Sequence, residues 1–436
     1  MSSEFVNMSE LYKLFVQFPF ICTDTRKIIP NCLFFCLKGN NFDGNLFVNE
    51  AFEKGAKYVI METHREFISQ SYNHNIIRVD DVLQTLQQLA HYHRKQLQIP
   101  IIGITGTNGK TTTKELIAYV LSKKYKTAFT QGNLNNHIGV PLTLLSIKND
   151  DEMAVIEMGA NHPEEIEELC NIAKPDYGLI TNIGQAHLEG FGTIENIIKT
   201  KTALYRAAKV IFVNIEDNVL RKRAAVQQSA LTSRKQKEKT IVFYGANTDV
   251  YGEIDEMNPY LSIKLFGRKV QTHLIGNYNL PNILATAAVG HYFNVPTHDI
   301  CDAIAEYIPQ NNRSQIIKKE SNTIIADYYN ANPTSMKAAL DNFLQIEFPK
   351  KLAILSDMFE LGKKSLPEHQ KIIDFCETNK LETFFIGTNF FALKNNCFKF
   401  FQNVDDCNIY LEQNKIENTF ILMKGSRGGT LENIMV

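Results

Sequence analysis

Residues 99–124 read IPIIGITGTNGKTTTKELIAYVLSKK, and their reading decides the fold. The apolar run IIGIT has the length of a buried strand, GTNG is a glycine-containing turn, and the helical pattern begins near Lys110. Gly106 and Gly109 permit backbone angles that turn successive N–H groups inward. The helix start adds partial positive charge, and Lys110 adds a full one. Such a cradle suits a triphosphate, held by Gly106, Thr107, Asn108, Gly109, Lys110, Thr111 and Thr112, with the Thr111 hydroxyl placed to ligate Mg2+. The string is a shorter variant of G-x-x-x-x-G-K-[ST], because position 104 is Ile and Gly103 lies one residue too early. A strand and helix joined by a turn that merely contains GKT is the plain alternative.

Outward from this stretch, runs at IIGIT, TAFT, AVIEM, YGLIT, VIFVN and TIVFY alternate with segments of helical length. That alternation predicts a doubly wound parallel sheet with helices on both faces. The segment closes with helices around 277–293 and 298–308, and PQNNRS at 309–314 reads as a linker. Before it, CLFFCL, NEAFEKGA and AKYVIM predict a small α/β module. Its last helical pattern, over 80–97, stops ahead of Pro100. After it, TIIAD, KLAILSD, TFFIG and TFILMK alternate with helical patterns at 334–345 and 367–379. Three α/β domains follow, 1–98, 99–310 and 311–436, in line with 436 residues at about 150 per domain.

Forty-six Lys and Arg against 47 Asp and Glu leave a net charge of −1, so no global basic field draws nucleic acid or an anionic membrane. A local basic patch at 221–239 reads as a solvated helix face. The opening residues lack a basic stretch followed by a long apolar one, which predicts a cytoplasmic protein without membrane insertion. Cysteines at 22, 32, 36, 170, 301, 376, 397 and 407 show no C-x-x-C pair and read as buried thiols without a metal or redox role.

A second cation site is suggested by Glu157, at the end of MAVIE, and His187, after the next strand. Both lie where ligands bind in open α/β sheets. A capped surface acid and a satisfied loop histidine are the plain alternatives. Glu164, Glu165, Glu167 and Glu168 fit a helix N-terminus better than a metal.

Taken in order, GITGTNGKTTTK, TQGNLNNHIGVPLTLL, AVIEMGANHPEEI, TNIGQAHLEGFGT, GNYNLPNILA, DYYNANPTSM and LMKGSR resemble the Mur ligases of peptidoglycan synthesis, over nearly the whole chain. Within that family GNLNNHIGVPLTLL, EMGANHPEEI, AHLEGFGT and DYYNANP are most similar to the members that join D-alanyl-D-alanine to UDP-N-acetylmuramoyl-tripeptide. The resemblance implies an N-terminal domain for the UDP-muramoyl peptide, a central P-loop ATPase domain and a C-terminal Rossmann-like domain that closes over the nucleotide. It places Thr25 and Arg26 near UDP, the Lys110 loop on ATP, Thr111 and Glu157 on one Mg2+, and His187 with a carbamylated Lys201 on a second. Lys199 competes for that last role, and a solvated helix lysine is the plain reading of Lys201. Asn279 and Asn282 resemble adenine contacts; Arg313, Asp327 and Asn330 match positions near the ribose and phosphates. Turn chemistry alone also explains Asn330, Asn332 and Pro333. Here DGN replaces the family's DGH at Asn45, Thr200 replaces a common Ala, and Ser356 stands where Gly is usual. Lys424, Ser426 and Arg427 resemble its KGSR element. A monomer is expected. The competing readings are folylpolyglutamate synthetase, a Mur ligase adding another residue, and a nucleotide switch. The switch should carry N-K-x-D, and the nearest string, NKIE at 414–417, has the wrong acid.

Overall fold

A computed structural model describes residues 7–39, 42–64, 74–232, 239–310 and 312–436. The central sheet has six parallel strands in the order Thr240–Tyr244, Val210–Asn214, Tyr177–Ile180, Ile101–Thr105, Met153–Glu157, Thr127–Phe129. Its strands read as unbroken apolar runs because both faces are covered. Along Ile101–Thr105, Ile101 packs into one core with Ile156 and Ile180. Ile102 and Ile104 pack into the other with Val155 and Leu179. The period-two alternation of a strand thus feeds two cores at once.

Ile101–Thr105 is the strand at which the winding reverses, with later strands on both sides, and the crevice beyond such a reversal is where open α/β sheets bind ligands. Thr105 and Glu157 both stand at carboxyl ends there, and Thr181 follows the end of Tyr177–Ile180.

The N-terminal sheet is parallel throughout, with Ile21–Cys22, Leu33–Phe35, Tyr58–Glu62 and Ile76–Val79 in that order. The helix Val82–Gln96 ties it to the centre. Arg94 on that helix donates to the carbonyls of Ala173 and Lys174 and to the Asp176 carboxylate, at 3.0, 3.1 and 2.8 Å.

The C-terminal sheet runs Gln315–Lys319, Asn322–Asp327, Phe420–Lys424, Lys351–Ser356, Thr383–Ile386, Lys399–Phe401. Its first strand is antiparallel to the second, so the Rossmann-like domain begins with a hairpin that the sequence reading did not contain. That reading also passed over a separate antiparallel sheet, Gly252–Met257, Tyr260–Leu265 and Arg268–Ile275. GEIDEM is mostly exposed and charged, which hides a strand from an apolar-run search.

The basic segment 221–239 begins on the helix Asn218–Thr232, with Arg221 and Lys222 exposed; residues 233–238 lie outside the described residues, as does Asn311 of the linker. Seven of the eight cysteines are buried thiols, whereas Cys397 is exposed. Among the described residues no helix is long and apolar enough to cross a membrane.

Candidate functional site

The helix Lys110–Leu121 starts directly after Gly109, which is left-handed at φ +77°. A side chain there would collide with the Asn282 amide, 2.6 Å from the nearest such atom. At Gly106 it would lie 1.9 Å from Thr181 Oγ1. Only glycine fits either corner.

The turn between them is clamped from outside. Asn182 accepts from the Asn108 N–H at 3.0 Å and donates to its carbonyl at 3.0 Å, and Thr181 Oγ1 donates to that carbonyl at 2.6 Å. Thr107 Oγ1 donates to the Gly184 carbonyl and accepts from the Gly184 N–H. With the loop amides fixed, the first-turn donors of the helix face one cleft of about 860 Å3, lined by Lys110, Thr111, Thr112, Glu157, His187 and Arg313 among others.

Glu157 is almost fully buried, and each of its carboxylate oxygens has a donor: Thr111 Oγ1 at 2.8 Å and Asn135 Nδ2 at 2.8 Å. Its own N–H donates to Thr130 Oγ1. Hydroxyl and carboxylate therefore meet at the strand ends, hard oxygen donors of the type Mg2+ takes alongside phosphate and water.

Two lysines converge on one carbonyl. Lys110 Nζ donates to Gly106 O at 2.8 Å and to Thr107 O at 3.1 Å, and Lys201 Nζ donates to Gly106 O at 3.0 Å. Burial pushes the Lys110 ammonium below the usual lysine range; Glu157 pulls it back up and Arg313 pushes it further down. Lys201, 3% exposed, is driven well below that range, first by burial and then by Lys110, with Glu165 opposing. It stands behind the turn and is absent from the cleft lining, so it is not the solvated lysine its type suggests. His187, with φ +51°, turns Nδ1 to the Glu360 carboxylate of the C-terminal domain, and His187 holds that carboxyl below the usual range.

Asn279, Asn282, Asp327 and Asn330 also line the cleft. Asn282 donates to Asn279 Oδ1, Asp327 accepts from Lys424 at 2.6 Å, and the Arg313 guanidinium lies 3.8 Å over the Tyr329 ring. Asn330 makes a local turn bond to the Ala331 N–H. Asn332 caps the helix Pro333–Gln345 in a capping box with Ser335, so turn and cap chemistry do act in this segment. Asn332 also donates to Asn108 Oδ1 at 2.8 Å, joining the C-terminal domain to the phosphate turn. Thr25 and Arg26 are elsewhere, in a short 3-10 turn of the N-terminal domain, where Arg26 pairs with Asp24 at 2.7 Å. Sequence reasoning assigned no part to Asn135, Asn182, Tyr329 or Glu360. The first two stand in GNLNNH and TNIG, strings noticed only for their likeness.

Family profiles match at residues 17–94 (Mur ligase family, catalytic domain), 104–290 (Mur ligase middle domain) and 312–396 (Mur ligase, glutamate ligase domain). The chain is 35% identical to the UDP-N-acetylmuramoyl-tripeptide--D-alanyl-D-alanine ligase of Bacillus subtilis, covering 95% of this chain and 92% of that one. The chain belongs to the Mur ligase family. Among solved structures it resembles MurF from Acinetobacter baumannii, with a TM-score of 0.83, 31% identity and coverage of 94% and 91% of the two chains. It also resembles MurF from Thermotoga maritima in complex with ADP, with a TM-score of 0.79, 26% identity and 95% coverage of each chain.

Lys110 opens its helix at the cleft wall, where the first-turn donors can meet an anion. Lys110→Ala is expected to melt like the parent yet release no phosphate from ATP above background when peptide substrates are supplied. Near-normal ATP-dependent ligation by that variant contradicts the placement.

Proposed function

We propose that this chain joins D-alanyl-D-alanine to UDP-N-acetylmuramoyl-tripeptide at the expense of ATP, giving UDP-N-acetylmuramoyl-pentapeptide, ADP and phosphate. The observation that carries the reading is the convergence of Lys110, Thr111 and Glu157 on a glycine turn held rigid by Asn182. A carboxylate is a poor electrophile with no good leaving group, so it must be activated first. One carboxylate oxygen attacks the γ-phosphorus of ATP and ADP departs, leaving an acyl phosphate. The free amine of D-alanyl-D-alanine then adds to the acyl carbon, and phosphate leaves as the amide forms.

Two anions meet in the first step, and preorganised positive charge is the main aid such a site can give. Lys110 and the inward amides of the turn supply it without reorganisation. Residues 1–98 are assigned to the UDP-linked peptide through Thr25 and Arg26, residues 99–310 to ATP with Asn279 and Asn282 beside the turn, and residues 311–436 to closure, with Arg313, Asp327 and Asn330 on the nucleotide. Asn332, already bonded to Asn108, links that closure to the turn.

Thr111 and Glu157 have the oxygen donors to hold one Mg2+. His187 and Lys201 suit a second only if Lys201 carries a carbamate, since an ammonium repels a cation and a carbamate presents an anionic oxygen. Burial and Lys110 together favour the neutral amine of Lys201, the form that adds to carbon dioxide. Bound Mg2+ would supply charge neutralisation on the phosphate oxygens. The setting proposed is the cytoplasm, with one chain as the working unit.

Purified protein with ATP, UDP-N-acetylmuramoyl-tripeptide and a panel of amines should release phosphate with D-alanyl-D-alanine and not with glutamate or a single amino acid. Phosphate release with another amine alone contradicts the assignment. Lys201→Ala should lose most activity and recover part of it with added short carboxylates; unimpaired activity removes the carbamate.

A further inference from the structure

Beside the large cleft lies a smaller one of about 340 Å3, walled by Thr111 and Asn133 on the central domain and by Arg313, Tyr329, Arg427 and Glu432 beyond it. Its volume is at the low end of the range for ligand pockets, about 300–1,000 Å3, and suits a short peptide rather than a nucleotide. Thr111, Asn133, Arg313 and Tyr329 line both clefts, so the two communicate at the phosphate end.

Arg427 lines only the smaller cleft. It is exposed, and among the described residues it makes no ion pair or side-chain hydrogen bond; its only partner is the Tyr329 ring, 5.9 Å away. The neighbouring cation of the same element, Lys424, is by contrast buried and committed to Asp327. Arg313 lies over Tyr329 as well, at 3.8 Å, with its Nε buried and unpartnered. One aromatic ring thus backs two guanidinium groups, one at the junction of the clefts and one lining the small cleft alone. Glu432 is the only acid in that lining and makes no ion pair among the described residues.

We propose that the smaller cleft holds the incoming dipeptide, with Arg427 taking its terminal carboxylate and its amine directed toward Thr111 and Asn133. This rests on the ligase reading above. A guanidinium fork matches a carboxylate in two parallel hydrogen bonds, and one not already paired has that capacity free. The dipeptide arrives as a zwitterion, and the pocket lining carries two guanidinium groups, Arg313 at the junction and Arg427 within the small cleft alone, and one carboxylate, Glu432, none of them ion-paired among the described residues. With the carboxylate anchored at Arg427, the other end of a two-residue chain points to the shared wall, where the acyl phosphate is formed.

The test compares D-alanyl-D-alanine with its C-terminal carboxamide, using the full chain with ATP and UDP-N-acetylmuramoyl-tripeptide. The parent should prefer the acid by about 10- to 100-fold in kcat/KM, the size expected of hydrogen bonds to a charged group. Arg427→Met should raise the KM for the acid by about the same factor and abolish the preference, with the KM for ATP and the melting temperature unchanged. A parent indifferent to the carboxamide, or an Arg427→Met variant that still prefers the acid, overturns the assignment. So does a variant whose ATP affinity and stability fall together with its dipeptide affinity, which marks a structural role. A parent that ligates neither dipeptide brings down the ligase reading itself, and the assignment with it.

Discussion

The Gly106 carbonyl accepts a hydrogen bond from two lysines, and the rest of the site is arranged around the charge this gathers. Two like unit charges 4 Å apart repel by about 4 kcal/mol at an effective dielectric of about 20. A hydrogen bond to a carbonyl returns only about 1 kcal/mol net. Repulsion wins, so the arrangement favours either loss of a proton by one lysine or the arrival of anions. Burial and the neighbouring Lys110 push Lys201, sealed behind the turn, furthest toward the neutral amine. Lys110, on the cleft side, is lowered as well, with Glu157 opposing. One carbonyl thus sorts two chemically identical side chains into environments that disfavour the ammonium to different degrees.

That sorting holds only while the turn keeps its shape, and all three faces of the turn are braced. Thr181 and Asn182 brace it from the next strand, Asn282 fills the space at Gly109, and Asn332 reaches it from the C-terminal domain. Because Asn332 also caps its own helix, its orientation is set before it touches Asn108. His187 and Glu360 make a second contact between the same two domains, and both adopt left-handed backbone, an uncommon state for such residues. The C-terminal domain is thereby tied to groups around the glycine turn.

The parallel sheets were legible in the sequence because burial on both faces writes a strand as an uninterrupted apolar run, as in IIGIT and VIFVN. The turn was legible because glycine, lysine and threonine at that spacing have few other uses. The sheet over 252–275 was not, since its exposed face fills it with acids and lysines. Lys201 illustrates a different limit: its place among the site residues came from likeness to a family, and its burial against Gly106 is a tertiary fact that no local pattern carries. Asn135, Asn182 and Asn332 show the same limit. By local rules asparagine is a turn former, and only the fold brings these amides onto Glu157 and Asn108. Arg26 is held by Asp24 two residues away, so its geometry is local.

The central claim is that a peptide carboxylate captures phosphate from ATP at the Lys110 turn before the amine arrives. Labelling both oxygens of the tripeptide's reacting carboxylate with 18O and analysing the phosphate released during ligation tests it most directly. The account predicts one 18O atom in each phosphate and one retained in the new amide. Phosphate free of the label, with amide formed at the normal rate, would contradict it.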